Sequence, residues 1–267
     1  MEIVEKVAVI TGAAHGIGLG TALVLSERGA RLCLVDHDKE ALLQAVDQIA
    51  ARGGEAMAVC ADVTVPDSFE SVQVEVEARF GPVDILMNNV GVLVSGLPQD
   101  IPLPEWERVL DINVMGTVRA LHHFIPQMLA RGSGHIVNTA SFAALFPYAY
   151  DRLPYTASKG AIVAMTESLA LYLKPRGIGV TLLCPGPVRT SIATTMRTFT
   201  QGIAPRGPGS QFELLEPLRV GEMVATAIEQ NRFFLPTDEQ VLPFIAKRGE
   251  NPEAFLEQQL TLFDERQ

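Results

Sequence analysis

The stretch ITGAAHGIGLG, residues 10–20, carries four glycines in eleven residues and continues the aliphatic run KVAVI at 6–10. Glycine takes left-handed backbone angles without steric cost and lets another group approach the main chain closely. Placed between a buried-strand pattern and a helical pattern, the glycines predict a tight βα turn with a ligand against it. Gly12 permits the turn, Gly16 removes a side chain where a pyrophosphate would approach, and Gly18 lets the helix pack closely on the strand. The helix N-terminus, entered at Ile17 with His15 beside it, offers free N–H groups and a positive dipole end to phosphates. The plain alternative is a tight turn with no ligand, but strand, glycines and helix in that order favour a dinucleotide.

The rest of the chain repeats the same unit. Short apolar runs lie at 6–10, 31–36, 56–60, 83–88, 134–140, 177–184 and 232–236, with helical-period segments at 17–28, 38–52, 67–79, 104–131, 156–174 and 217–230 between them. Continuous apolar strands suit a parallel sheet covered on both faces. Their alternation with helices predicts a doubly wound α/β (Rossmann) fold, with seven parallel strands, helices on both faces and one domain over 1–267. Residues 198–212, rich in Gly, Pro, Thr and Ser, read as a loop long enough to be functional, and the segment 191–215 is expected to cover the substrate with Thr194, Thr195, Met196 and Phe199 as contacts. Residues 237–267 read as one or two amphipathic helices, with Asn251 as N-cap and Pro252 at the first helical position.

The acid that ends the second strand bears on the ligand. Asp36 lies 18 positions beyond Gly18 (36 − 18). A carboxylate there accepts hydrogen bonds from both ribose hydroxyls and repels a 2′-phosphate, which favours NAD over NADP. The side chains beside it are His37 and Asp38, and His15 is the neighbour that could offset the preference if charged. An Asp that merely caps the next helix is the competing reading.

The bulk properties narrow the classes. The formal charge is −10, and no basic run supplies the Lys/Arg cluster that nucleic-acid binding needs. Cys33, Cys60 and Cys184 are odd in number, far apart and set among aliphatic residues, so they read as core thiols in a reducing compartment. No Cys-x-x-Cys or His-Glu-x-x-His spacing supports a metal site. The first strand begins almost at once, with no cleavable apolar segment and no bilayer-spanning run, so a cytoplasmic protein that binds no membrane is expected.

With NNVG at 88–91 and YTASK at 155–159, the wide Gly-x-x-x-Gly-x-Gly spacing resembles the short-chain dehydrogenase/reductase family from Lys6 to about Pro236. The resemblance implies an oxidoreductase that moves a hydride between a nicotinamide cofactor and an alcohol or ketone. It implies that Asn89 and Gly91 border the adenosine site, with Val90 where the family has alanine. It places Asp62 and Val63 at the adenine. The resemblance further implies that Pro185, Gly186, Val188 and Thr190 of PGPVRT hold the nicotinamide. A homodimer or homotetramer is likewise implied by the resemblance.

The chemistry centres on Tyr155 and Lys159, four apart and so on one helix face. A phenol titrates near pH 10 and is a poor base at neutral pH unless a cation stabilises the phenolate. Lys159 is expected to depress it toward the working pH. Ser141 follows the fifth strand, at the sheet edge where ligands bind, and the resemblance makes it the donor to the substrate oxygen. Asn113 matches the family asparagine that holds a water next to the lysine. Phe142, Phe146, Tyr148 and Tyr150 suggest one wall of an apolar pocket or plain core packing. These residues predict an NAD-linked dehydrogenase for a moderately bulky hydrophobic or aromatic secondary alcohol. An NADP-preferring carbonyl reductase and a non-catalytic nucleotide-binding regulator are the alternatives. A serine hydrolase is disfavoured, because no Gly-x-Ser-x-Gly elbow is present and the last histidine is His135.

Overall fold

The computed structural model describes residues 1–202 and 206–264, the side chains of 263 and 264 excepted. Residues 203–205 of the expected substrate loop and 265–267 of the expected tail lie outside the described residues. In chain order the elements are β1 (Val7–Thr11), α1 (Gly16–Glu27), β2 (Arg31–Asp36), α2 (Lys39–Ala50), β3 (Glu55–Cys60), α3 (Ser68–Phe80), β4 (Ile85–Asn88) and β5 (Val94–Ser95). There follow α4 (Leu103–Leu110), α5 (Gly116–Arg131), β6 (Gly134–Thr139), α6 (Phe142–Leu145), α7 (Leu153–Leu173), β7 (Ile178–Cys184), β8 (Arg197–Thr198), α8 (Pro217–Glu229), β9 (Phe234–Pro236), α9 (Leu242–Glu250) and α10 (Pro252–Asp264).

Seven strands make one sheet in the order β3-β2-β1-β4-β6-β7-β9, all neighbours parallel. The chain winds outward from β1 to β3, then reverses and winds from β4 to β9. The reversal opens a crevice beyond the C-terminal ends of β1 and β4, where such sheets bind ligands. Both faces of the sheet centre are covered, and its innermost strands are apolar on both sides, as in the fully buried VAVIT of β1. Ala8 and Ile10 pack with α1, α2 and α8 through Leu25, Leu42 and Val224. Val7 and Val9 pack with α3, α5 and α7 through Phe69, Phe124 and Leu173.

Three details differ from the sequence expectation. Residues 104–131 do not form one uniform helix: a π-helical turn, Asp111–Met115, separates α4 from α5. A second, two-stranded sheet joins β5 to β8, both expected as loop. It forms because Phe199 N–H donates to Ser95 O (2.8 Å) and Phe199 packs against Val94, Ile101 and Trp106. Finally, Cys33 and Cys184 are buried but Cys60 is exposed. Cys60 ends β3, the outer strand of the sheet, which has a neighbour on one side only.

The tail docks on α6, beyond the C-terminal end of β6. Asn251 Oδ1 accepts Ala254 N–H at 3.0 Å, the N-cap of α10. Phe244 of α9 and Phe255 of α10 pack with Phe142, Phe146 and Phe212, and Arg248 donates to Leu145 O at 2.6 Å. Phe142 and Phe146 therefore belong to the core beneath α6 and line no open pocket. Among the described residues no helix is long and apolar enough to cross a membrane.

Candidate active site

The site assembles around the crevice between β1 and β4. Gly12 and Gly16 have φ of 65° and 53°, the left-handed region glycine favours. A Cβ on Gly18 would collide with the Gly12 carbonyl oxygen, and one on Gly16 would lie 2.9 Å from Thr190 Cγ2. The loop is tied to β4 by Asn89, whose Nδ2 donates to Gly12 O (3.3 Å), and by Thr11 Oγ1, which accepts Asn89 N–H (3.0 Å). His15 sits at the N-cap position of α1 without capping it by its side chain, and the first turn holds no acidic residue. These N–H groups are thus left available to an anion. Ile17 packs into the core and Val188 pairs with Leu215, which holds the 185–190 segment beside the loop.

Asp36 is 9% exposed at the C-terminal end of β2. Its Oδ2 accepts Ala14 N–H (3.1 Å), its Oδ1 accepts Asp38 N–H (3.2 Å), and the His37 ring lies 3.1 Å away. The capping of α2 falls instead to Asp38, whose Oδ1 accepts Ala41 N–H. Asp62 spends Oδ1 on the N–H and hydroxyl of Thr64, both at 2.8 Å, and these bonds hold its carboxyl below the usual range. Val63 turns inward against Gly116. Gly186 N–H donates to Thr237 Oγ1, and Pro185 O accepts Phe142 N–H, so the 185–190 segment leans on the Ser141 side of the site. Bare glycine backbone, an uncapped helix start and a carboxylate at the end of β2 fit a dinucleotide.

The four residues expected to carry the chemistry converge. Lys159 is 3% exposed, and its Nζ donates to Thr139 O at 2.8 Å. The same Nζ stands 5.7 Å from the centre of the Tyr155 ring. A Cβ on Gly91 would lie 3.2 Å from Lys159 Nζ and 3.7 Å from Asn113 Oδ1, so this glycine is what lets the two approach. Asn113 sits in the π-helical turn. Its Oδ1 accepts Val92 N–H (2.8 Å), and its Nδ2 donates to Val92 O (3.1 Å) and Ser158 Oγ (2.9 Å). Its amide therefore clamps α4–α5 to the chain after β4 and to α7. Ser141 Oγ accepts Ala143 N–H (3.2 Å), capping α6.

Charge in the site differs from expectation in one respect. Burial raises the Tyr155 phenol, with Ser141's hydrogen bond and the Arg152 charge acting against it. Burial also lowers the Lys159 ammonium to about 8. The polypeptide alone does not depress the phenol as the Tyr155–Lys159 spacing predicts, because both groups lose solvation together.

Several residues of the site carried no legible sequence signal. Thr139 and Thr11 contribute backbone or hydroxyl contacts. Arg152, paired with the 3% exposed Asp151 through Nε (2.9 Å) and Nη2 (3.2 Å), was not distinguished from a surface charge. Of the expected loop contacts, Thr194 and Thr195 turn their hydroxyls back to Ser191 O, and Phe199 packs beneath the loop. Of the expected aromatic wall, Tyr148 packs against Phe146 and the Arg152 guanidinium, and Tyr150 is exposed.

Known proteins are similar to this chain over most of its length. The family model described as short chain dehydrogenase matches residues 6–201. A dehydrogenase/reductase of CLA biosynthesis from Lactiplantibacillus plantarum is 34% identical over 264 residues, covering 91% of this chain and 92% of its own. Cyclohexanol dehydrogenase from Acinetobacter sp. (strain SE19) is 31% identical over 240 residues, covering 89% and 93%. A crystal structure of a short chain dehydrogenase/reductase from Burkholderia phymatum in complex with NAD superposes with a TM-score of 0.85 at 32% identity, covering 95% and 96%.

Proposed function

The chain belongs to the short-chain dehydrogenase family and is an oxidoreductase, and on that premise we propose that it moves a hydride between NAD and a moderately bulky, hydrophobic secondary alcohol or its ketone. The observation that carries this is the meeting of Ser141, Tyr155 and Lys159 at the mouth of the glycine crevice. Bound nicotinamide supplies the hydride acceptor for oxidation and, reduced, the donor for the reverse reaction. Tyr155 takes the hydroxyl proton as the alcohol is oxidised and returns it to the ketone oxygen in reduction. Ser141 donates a hydrogen bond to the same oxygen and steadies its developing charge. Lys159 holds an ammonium under the Tyr155 ring, where it favours the phenolate.

NAD is favoured over NADP by Asp36, whose carboxylate stands at the end of β2 and is met by two backbone N–H groups and a histidine ring. An uncharged substrate is favoured because the Arg152 guanidinium beside Tyr148 is already paired with Asp151. The cyclic alcohol named for the Acinetobacter relative has this character. Self-association is supported by Leu103, Leu110, Met115, Leu171 and Tyr172, exposed on α4, the π-helical turn and α7.

The test is NADH absorbance with a panel of secondary alcohols, cyclic and aromatic ones included, for the natural chain and for Tyr155→Phe. Turnover in the variant should fall by about two to four orders of magnitude, the scale of one general acid–base group, with NAD affinity retained. Near-normal turnover in the variant removes Tyr155 from the chemistry.

A further inference from the structure

Three buried polar side chains run in line beneath the helix that carries Tyr155 and Lys159. Asn88 ends β4, Asn138 is its register partner on β6, and Thr166 belongs to α7. Asn88 Nδ2 donates to Asn138 Oδ1 (2.8 Å), Asn138 Nδ2 donates to Thr166 Oγ1 (3.0 Å), and Thr166 Oγ1 donates to Ile162 O (2.6 Å). They interrupt a region otherwise packed by Ile136, Ala170 and Leu173. Neither hydride transfer nor proton transfer requires any of them.

The direction of this row of bonds is forced from its far end. A carbonyl oxygen only accepts, so Thr166 gives its one hydrogen to Ile162 O and must accept from Asn138. That turns the Asn138 nitrogen toward α7 and its oxygen toward Asn88, which must then donate. Asn88 Oδ1 is left over, buried and without a partner among the described residues. An unmet buried acceptor destabilises the fold, and apolar side chains of similar shape would fill the space without that penalty. What apolar packing does not supply is direction, since burial holds a helix on a sheet without fixing its rotation. A hydrogen bond to a seated amide does fix it. Thr166 lies seven positions beyond Lys159 (166 − 159), about two turns along the same helix face. Lys159 Nζ donates to Thr139 O (2.8 Å), the carbonyl of the residue after Asn138. Adjacent residues of β6 therefore hold α7 at two points, and one of the two is the ammonium itself.

We propose that Thr166, held by Asn138 and through it by Asn88, is a positioning residue that fixes the rotation of α7 and with it the reach of Lys159 and Tyr155 into the crevice. The purpose rests on the oxidoreductase reading, but the placement of Lys159 is a property of the folded chain and is measurable without substrate. Thr166→Val keeps the shape and removes the hydroxyl. Thr166→Ser keeps the hydroxyl. The triple variant Asn88→Leu, Asn138→Leu, Thr166→Val replaces the whole row by apolar groups of similar size, so it is expected to fold even where one unmet amide prevents folding.

The experiment labels the lysine ε-carbons of the full chain and follows them by NMR against pH, with Lys159 assigned through Lys159→Met. The titratable groups facing Lys159 are Tyr155 on the same helix and Cys184 at the end of β7. Burial holds the Lys159 midpoint at about 8 in the natural chain. In Thr166→Val and in the triple variant it should rise by about half to one pH unit as the displaced ammonium regains water, and in Thr166→Ser it should stay in place. With an alcohol identified as substrate, kcat should fall about tenfold in Thr166→Val with KM and NAD affinity nearly constant, less than the roughly hundredfold loss that a misplacement of about 1 Å can bring. Thr166→Ser should restore it. A merely structural role would lower the melting temperature of Thr166→Val and leave the Lys159 midpoint and kcat of the folded protein unchanged. That outcome overturns the proposal, as does a triple variant that turns over like the natural chain. A folded chain that oxidises no alcohol overturns the functional reading instead, while the lysine titration still decides the placement.

Discussion

Replacing Asp36 with asparagine probes the cofactor reading where the geometry is most specific. The carboxylate ties the glycine loop to the end of β2 through Ala14 N–H (3.1 Å) and steadies the turn into α2 through Asp38 N–H (3.2 Å). Asparagine keeps the shape and one acceptor oxygen but loses the charge and one of the two acceptances. The exposed cost is one unmet backbone donor, about 1–3 kcal/mol, which a domain of ordinary stability survives. Toward NAD, ribose hydroxyls lose a charge-assisted bond worth about 1.5–3 kcal/mol and keep a neutral one of about 1, so affinity falls about tenfold. Toward NADP the change is larger. Two unit charges about 4 Å apart repel by about 4 kcal/mol at an effective dielectric of about 20, close to three orders of magnitude in affinity. Titration calorimetry with NAD and NADP on both proteins should show the ratio of dissociation constants swinging by about two to four orders of magnitude toward NADP. An unchanged ratio, with both proteins folded, refutes the assignment of Asp36 as the discriminating charge. Tighter binding of NADP by the natural chain refutes it sooner.

Lys159→Met should abolish turnover without lowering thermal stability. The native ammonium titrates near 8 instead of its ordinary 10.5, so the unfolded chain holds the proton more tightly. The resulting penalty is complete below pH 8 and is relieved as pH rises from 8 to 10.5. It amounts to about 3 kcal/mol, less about 1 for the bond to Thr139 O, so the variant's melting temperature at pH 7 should be equal or higher, and a drop of several degrees would contradict the burial argument. Under native conditions one thiol per chain should react quickly with a disulfide reagent. Cys60 is exposed, whereas burial seals Cys33 and Cys184 and raises both thiols to about 12, so two or three fast thiols would contradict the packing. Leu171→Glu, at an 82% exposed position on α7, should reduce the molar mass measured by light scattering if the apolar face of α4 and α7 joins copies. An unchanged mass, multimeric or not, places any contact elsewhere.

The fold was readable because its causes are local. Parallel strands covered on both faces must be apolar throughout, so RLCLVD and GIGVTLLC announce themselves without alternation. Where coverage is one-sided the reading failed: β3 borders solvent along one edge, and Cys60, placed among aliphatic residues, ends up outside. The break at Asp111–Met115 was also illegible. No proline or glycine lies within those five residues, and the π-helical turn goes with the grip of Asn113 on Val92, twenty-one positions back.

Short-range chemistry therefore specified the βα repeat, the glycine turn, the acid after β2, and the tyrosine and lysine one helical turn apart. All of these are patterns of neighbours along the chain. Distances across the molecule were set by packing alone. Sheet order brings Gly91 beside Lys159, and the docked tail seats Phe244 and Phe255 against the segment that Ser141 caps. Burial then raises the Tyr155 phenol and lowers the Lys159 ammonium together. Such placements join residues scores of positions apart, and the solvation each group loses depends on everything packed around it, a quantity that exists only once the chain has folded.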